Sequence, residues 1–192
     1  MSIRPEGSLD RRTVLVGAGA VFGFVVAGCE KKITPKQARE QAASLQVLTE
    51  AEQAVIDAIG SRLVPGATEA GLSHYLDVQL NAGAADQMLM IKYLGLEYPF
   101  TDFYKQGLAA ISRSARSRFD REFVELTTQE IDAFVAAMSA NEVSNWEGPP
   151  APFFFFVLRS DAVDVSYGTR DGFDKLGVPY MAHIEPPSDW GA

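Results

Sequence analysis

Sulfur and imidazole are scarce in this chain: its 192 residues hold one cysteine and two histidines. A lone Cys29 closes no internal disulfide, and one thiol supplies too few ligands for an iron–sulfur cluster or a zinc site. The sequence has no Cys-x-x-Cys-His haem attachment, no Gly-x-Gly-x-x-Gly dinucleotide turn and no Gly-x-x-x-x-Gly-Lys-Ser/Thr phosphate loop. It also has no Gly-x-Ser-x-Gly nucleophile elbow. His74 and Asp77, three apart, are the nearest thing to a metal pair, but no third or fourth ligand is spaced nearby. The simpler reading of His74 is a helix-surface or interfacial residue, and of His183 a contact residue in the tail. The carboxylates Glu50/Glu52 and Asp161/Asp164 read as ordinary helix-end charges. Positive charge is also in deficit, with a formal net charge of −8. That balance disfavours nucleic acid or an anionic membrane surface as a partner and favours solubility. Together these absences exclude the common routes to a resident cofactor.

What is present begins at Asp10-Arg11-Arg12-Thr13-Val14-Leu15, which opens an apolar run ending at Val26-Ala27-Gly28-Cys29. A twin arginine before a short, weakly hydrophobic, Gly- and Ala-rich stretch reads as a signal for the twin-arginine translocase. The run from Thr13 to Gly28 falls short of the ~20 residues that a membrane-spanning helix needs, so export signal is preferred over uncleaved anchor. Val26-Ala27-Gly28-Cys29 resembles a lipobox, which makes Cys29 a candidate lipidation site. The plainer alternative is a cysteine lost with the signal. Lys31 and Lys32 follow and suit either anionic headgroups or the far end of such a signal. Residues 1–28 carry three Arg against Glu6 and Asp10, so removing them leaves 164 residues with a net charge of −9. That length is ample for one domain with its own core.

Along the chain, residues 29–47 read as a polar tether, in which Ile33-Thr34-Pro35 caps a short helix and Ala38, Ala42, Ala43 and Leu45 are too small to demand burial. The folded domain is expected to begin at Leu48 and run to residue 192. Thr49-Glu50-Ala51-Glu52 is a capping box, followed by Val55, Ile56, Ile59 and Leu63 at helical spacing and closed by Pro65-Gly66. A second helix is expected over Gly71 to Asn81. A less regular stretch follows around Met88 to Ile91, and a long helix starts at Thr101-Asp102. Thr127-Thr128-Gln129-Glu130 opens another. Phe153-Phe154-Phe155-Phe156-Val157-Leu158 is apolar on every side. Four aromatics in a row are β-like by propensity, but Pro152 and Arg159-Ser160-Asp161 allow a buried helix, which is preferred because the rest of the chain reads as helical. From Val165 onward, Gly, Pro and Tyr predict an ordered loop and tail. The fold class is all-α: a single irregular domain of about five or six helices with an ordered Gly/Pro/aromatic-rich C-terminal tail.

Several segments resemble the gluconate 2-dehydrogenase subunit 3 family. Leu48-Thr49-x-Ala51-Glu52, then Ile56-x-x-Ile59-x-x-Arg62-Leu63-Val64-Pro65-Gly66, is similar to that family's opening helix and proline exit. Glu69-Ala70-Gly71-Leu72 with Tyr75-Leu76-Asp77 is similar to its next segment. Tyr167-Gly168-Thr169-Arg170-Asp171-Gly172-Phe173-x-x-Leu176-Gly177-Val178-Pro179 is similar to the tail motif written YGGNRD…GW…GYPG. Here Thr169 departs from the Gly-Asn element and Phe173 stands as the aromatic. The resemblance covers most of residues 48–180.

The resemblance implies a non-catalytic small subunit of a periplasmic, FAD-dependent sugar or polyol dehydrogenase. Its partner would be a flavoprotein of the glucose-methanol-choline (GMC) type, in some complexes with a cytochrome c subunit. The small subunit would escort the flavoprotein through the twin-arginine translocase and assist its maturation. FAD is then expected in the partner, and no cofactor in this chain. Arg11 and Arg12 would carry the export signal. Tyr167, Gly168, Arg170, Asp171, Phe173 and Tyr180 form the candidate partner interface, with closure of the chain's own core as the alternative role. The expected location is periplasmic, held to the membrane through the complex or a lipid on Cys29. A free-standing periplasmic lipoprotein that binds a small ligand is the alternative function, and an enzyme with an unrecognised site is a more distant one.

Overall fold

Three capping boxes set the helical register. Thr34, Thr49 and Thr127 each accept a hydrogen bond from the third helical N–H, and Gln37, Glu52 and Glu130 reach back to the cap backbone. They open α1 (Pro35–Glu40), α2 (Glu50–Leu63) and α5 (Thr128–Ala140). The computed structural model describes residues 21–178. It adds α3 (Leu72–Asn81), α4 (Thr101–Phe119), α6 (Ala151–Tyr167) and α7 (Arg170–Leu176), with short 3-10 turns at Met90–Tyr93 and Phe123–Glu125. The all-α class holds, with seven helices among the described residues.

The main core gathers apolar faces from α2 to α6. Ile56 and Ile59 of α2, Leu72 and Leu76 of α3, Tyr104 and Ile111 of α4, Phe134 and Met138 of α5, and Phe154 and Leu158 of α6 are all buried in it. The four-phenylalanine run divides its rings around the helix. Phe154 is fully enclosed, Phe153 and Phe155 are half-buried, and Phe156 faces out. Phe103, Tyr104, Phe153, Phe154 and Trp146 meet edge-on or tilted, with ring centroids 5.4–6.4 Å apart.

Three sequence expectations are corrected. The polar segment 29–47 is not a bare tether. Residues Phe22–Val26 (β1) and Cys29–Ile33 (β2) form an antiparallel hairpin, α1 follows, and packed structure reaches back well before Leu48. Charged side chains point outward there, while Ala38 and Ala43 are buried with Phe24 and Val26 in a second small cluster. Their small size permits close contact instead of making burial unnecessary. Up to Val178, where the described residues end, the stretch after Val165 is not a loop, because α6 runs on to Tyr167 and α7 follows at once. Thr169 caps α7 by accepting from Gly172 N, and Gly177 ends it in a left-handed conformation. Asp161 is not a helix-end charge, since it lies inside α6 and is fully buried.

Helix α3 is the shared wall. Leu72, Tyr75, Leu76 and Leu80 enter the main core, and Val78 packs against the small N-terminal cluster. A helix buried on both sides needs its neighbours close. At its start, Gly71 has φ +87°, and a Cβ there would sit 2.3 Å from Pro35 O. Only glycine lets the backbone of α1 approach so near.

Candidate partner-facing groove

Residues far apart in sequence converge on one groove of about 960 Å³. The proline exit of α2 supplies Pro65 and Gly66, the following loop supplies Glu69 and Ala70, and α3 supplies Tyr75. The end of α6 and the start of α7 supply Tyr167, Gly168, Thr169 and Asp171. These are segments of the motifs that carry the family resemblance. Further lining comes from β1 through Phe22, from α1 through Lys36, and from the irregular stretch through Met88 and Tyr93.

The α6–α7 corner is built by close approach. A Cβ on Gly168 would lie 2.5 Å from Asp164 O, and one on Gly172 would lie 2.5 Å from Tyr167 Cα. Both glycines of Tyr167-Gly168-Thr169-Arg170-Asp171-Gly172 therefore let α7 fold back tightly on α6. Thr169 Oγ1 takes the Gly172 N–H at 3.1 Å. The corner presents Asp171 to solvent on the groove rim, while Tyr167 is half-buried against the main core. Phe173 is half-buried on α7. Arg170 opens α7. Tyr180, Arg11 and Arg12 lie outside the described residues. Cys29 is exposed at the start of β2.

A buried polar centre that sequence reading missed lies on α6, one turn before its groove-lining end. Asp161 accepts from the Tyr104 hydroxyl at 2.5 Å and from Met90 N at 2.9 Å, which ties the irregular stretch to α6 and α4. Burial pushes its carboxyl up to about 7, against the lowering effect of those two hydrogen bonds. Burial also raises Tyr104 and Tyr75, with the Asp161 charge adding to both, and raises Asp164. The signal available in sequence was Asp161 embedded in an apolar helix, four residues after Val157 and four before Val165.

His74 and Asp77 do not act as a pair. Asp77 is buried and accepts three backbone N–H groups, from Gln46 and Val47 at 2.9 Å and from Leu48 at 2.8 Å. His74 Nε2 lies 3.3 Å from Ala43 O, and its ring meets Phe24 at 6.3 Å, so it is interfacial between α3 and the hairpin layer. Burial lowers the pKa of His74. Among the described residues, no group of three His, Cys, Asp or Glu side chains is placed to hold a metal ion, and no helix is long and apolar enough to cross a membrane.

A second apolar surface adjoins the groove. Met88 and Tyr93 belong to its rim and are exposed, Tyr93 at 69%, and Leu94, Leu96 and Tyr98 continue the exposed apolar stretch along the chain. Phe156 and Val163, seven residues apart, are exposed on α6. Such surface exceeds what the chain's own core requires.

No curated protein and no solved structure is a significant match to the chain. The family model described as gluconate 2-dehydrogenase subunit 3 matches residues 50–182, from the first residue of α2 through the α6–α7 corner and beyond. That span takes in the groove's lining from α2, α3, the irregular stretch and the α6–α7 corner but not from β1 and α1, and the chain belongs to the gluconate 2-dehydrogenase subunit 3 family.

Proposed function

We propose that this chain is the non-catalytic small subunit of a periplasmic, FAD-dependent sugar or polyol dehydrogenase, and that it escorts the catalytic flavoprotein through the twin-arginine translocase. The carrying observation is the family match over residues 50–182, which makes the chain a subunit of a dehydrogenase complex. Catalysis and FAD are assigned to a partner of the GMC flavoprotein type, with a cytochrome c subunit as a further member in some complexes. The groove and its apolar margin at Met88, Tyr93 and Tyr98 support a docking role. Exposed aromatics beside a concave surface are what a subunit interface buries. The sequence Arg11-Arg12 before an apolar run supports the export role. Association with the membrane would come through the complex or a lipid on Cys29.

The alternative reading, a free-standing lipoprotein that binds a small ligand, draws on the groove's size, which falls within the ~300–1,000 Å³ of small-molecule sites. Replacing both Arg11 and Arg12 with Lys separates the two. The escort reading expects dehydrogenase activity to disappear from the periplasmic and membrane fractions and the flavoprotein to stay in the cytoplasm. Fully exported activity in that variant contradicts it.

A further inference from the structure

The apolar run of the export signal and the folded domain overlap. Strand β1 is Phe22–Val26, the last part of a run that reaches Gly28, and it is built into the structure on three sides. It pairs along its whole length with β2, from Phe22 opposite Ile33 to Val26 opposite Cys29. On its other edge Val25 O accepts from Ser44 N at 2.8 Å. Its inner face is packed: Phe24 is 2% exposed and Val26 7%, against Ala38, Ala43 and Val78. Phe22 stacks edge-on against Tyr75 at 6.1 Å and closes one wall of the groove.

The Gly28–Cys29 bond lies where Ala27 and Gly28 make a two-residue turn, both with positive φ, as hairpins of this length require. Cutting that bond would separate β1 from β2 at their closest pair. If β1 then left, it would expose a paired edge, the buried ring of His74 and the two alanines, and would open the groove wall at Tyr75.

We propose that β1 is a permanent part of the folded subunit, so that export processing leaves residues 22–28 in the chain: it cuts upstream of Phe22 or not at all. A consequence follows for the membrane. With β1 folded, residues 13–21 are all that remain of the run, nine residues, under half of the ~20 needed to span. The run is in the sheet or in the bilayer, not both, and Cys29 keeps a free thiol at an exposed turn. The subunit then carries no lipid anchor on Cys29. This goes beyond the proposed function and does not depend on which partner is bound.

The test is the N-terminal residue of the exported full-length chain, read by intact mass and N-terminal sequencing of protein isolated from its native envelope fraction. The expected result is an N-terminus at or before Phe22 and an unmodified Cys29. An N-terminus at Cys29, acylated or not, overturns the proposal. The second readout is the melting temperature of the full chain carrying Phe24→Ala. A docked β1 predicts a fall of about 5 °C or more, and an unchanged value overturns the proposal even if the N-terminus is retained. Neither readout changes if no flavoprotein accompanies the chain, so failure here is distinct from failure of the subunit assignment.

Discussion

The two hydrophobic clusters on either side of α3 are built on different scales. The main core joins five helices through large interlocking side chains, with Tyr104, Phe123, Phe134 and Phe154 among those fully buried. The N-terminal layer buries only Phe24, Val26, Ala38 and Ala43, edged by the half-buried Phe22, Ile33 and Val78, and depends on hairpin hydrogen bonds to hold them in place. The first is stabilised chiefly by area removed from water, the second by backbone pairing around a small apolar plug. A cluster of the second kind is easier to detach. Here it is also the part that overlaps the proposed export signal and forms a groove wall.

Substitutions sharpen that contrast. Phe154→Ala should cost about 3–5 kcal/mol, the usual range for a large aromatic removed from a packed core, and denaturant melts would show a single transition at a much lower midpoint. Asp77→Ala strikes the seam between the clusters. It leaves the N–H groups of Gln46, Val47 and Leu48 without their acceptor, with an expected loss of about 3 kcal/mol. Hydrogen exchange should then rise first in residues 22–48. Phe24→Ala should fall at the low end of the aromatic range, about 3 kcal/mol, with faster exchange confined to the hairpin, α1 and the Val78 side of α3. A Phe24→Ala cost equal to that of Phe154→Ala would break the comparison, because the two clusters would then act as one cooperative core.

Acidity should move the two regions in opposite directions. Asp161 holds its proton up to about pH 7 in the fold, against an ordinary value of 3.8. The unfolded chain therefore binds fewer protons in that interval, and this group's contribution to stability falls as pH rises from about 4 to 7. His74 has a pKa lowered by burial from 6.5, so its contribution is present above that value and is lost as pH falls below it. Asp161→Asn should flatten the first trend, and His74→Gln the second. Stability curves measured at several pH values, with exchange data to localise the change, would check both.

The helices were legible because their signals are local. Thr49 with Glu52 and Thr127 with Glu130 mark starts whatever lies around them, and Ile56, Ile59 and Leu63 repeat at a helix's own period. The hairpin was not, because Val21-Phe22-Gly23-Phe24-Val25-Val26 is apolar without alternation and reads equally as the end of a signal. Its strand character comes from pairing with β2, a polar strand with no hydrophobic pattern of its own. Helix α7 was hidden by two glycines that normally mark loops; Gly172 sits there because Tyr167 leaves no room for a Cβ. The groove followed the same division. Sequence reading picked out Tyr167, Gly168 and Asp171 one by one, but only the fold brings Pro65, Glu69 and Tyr75 alongside them. Asp77 and Asp161 escaped because a buried carboxylate is defined by donors thirty or seventy residues away.

The central claim is that this chain works as the partner of a flavoprotein. The direct measurement is to isolate the affinity-tagged full chain from its native envelope fraction and record the visible spectrum and composition of what elutes. The account predicts a yellow preparation in which a larger subunit carries the flavin and reduces an artificial dye with a sugar or polyol, while the tagged chain alone is colourless and inactive. A tagged chain that elutes alone from an envelope fraction that retains full dehydrogenase activity, or that itself carries the chromophore, would contradict it.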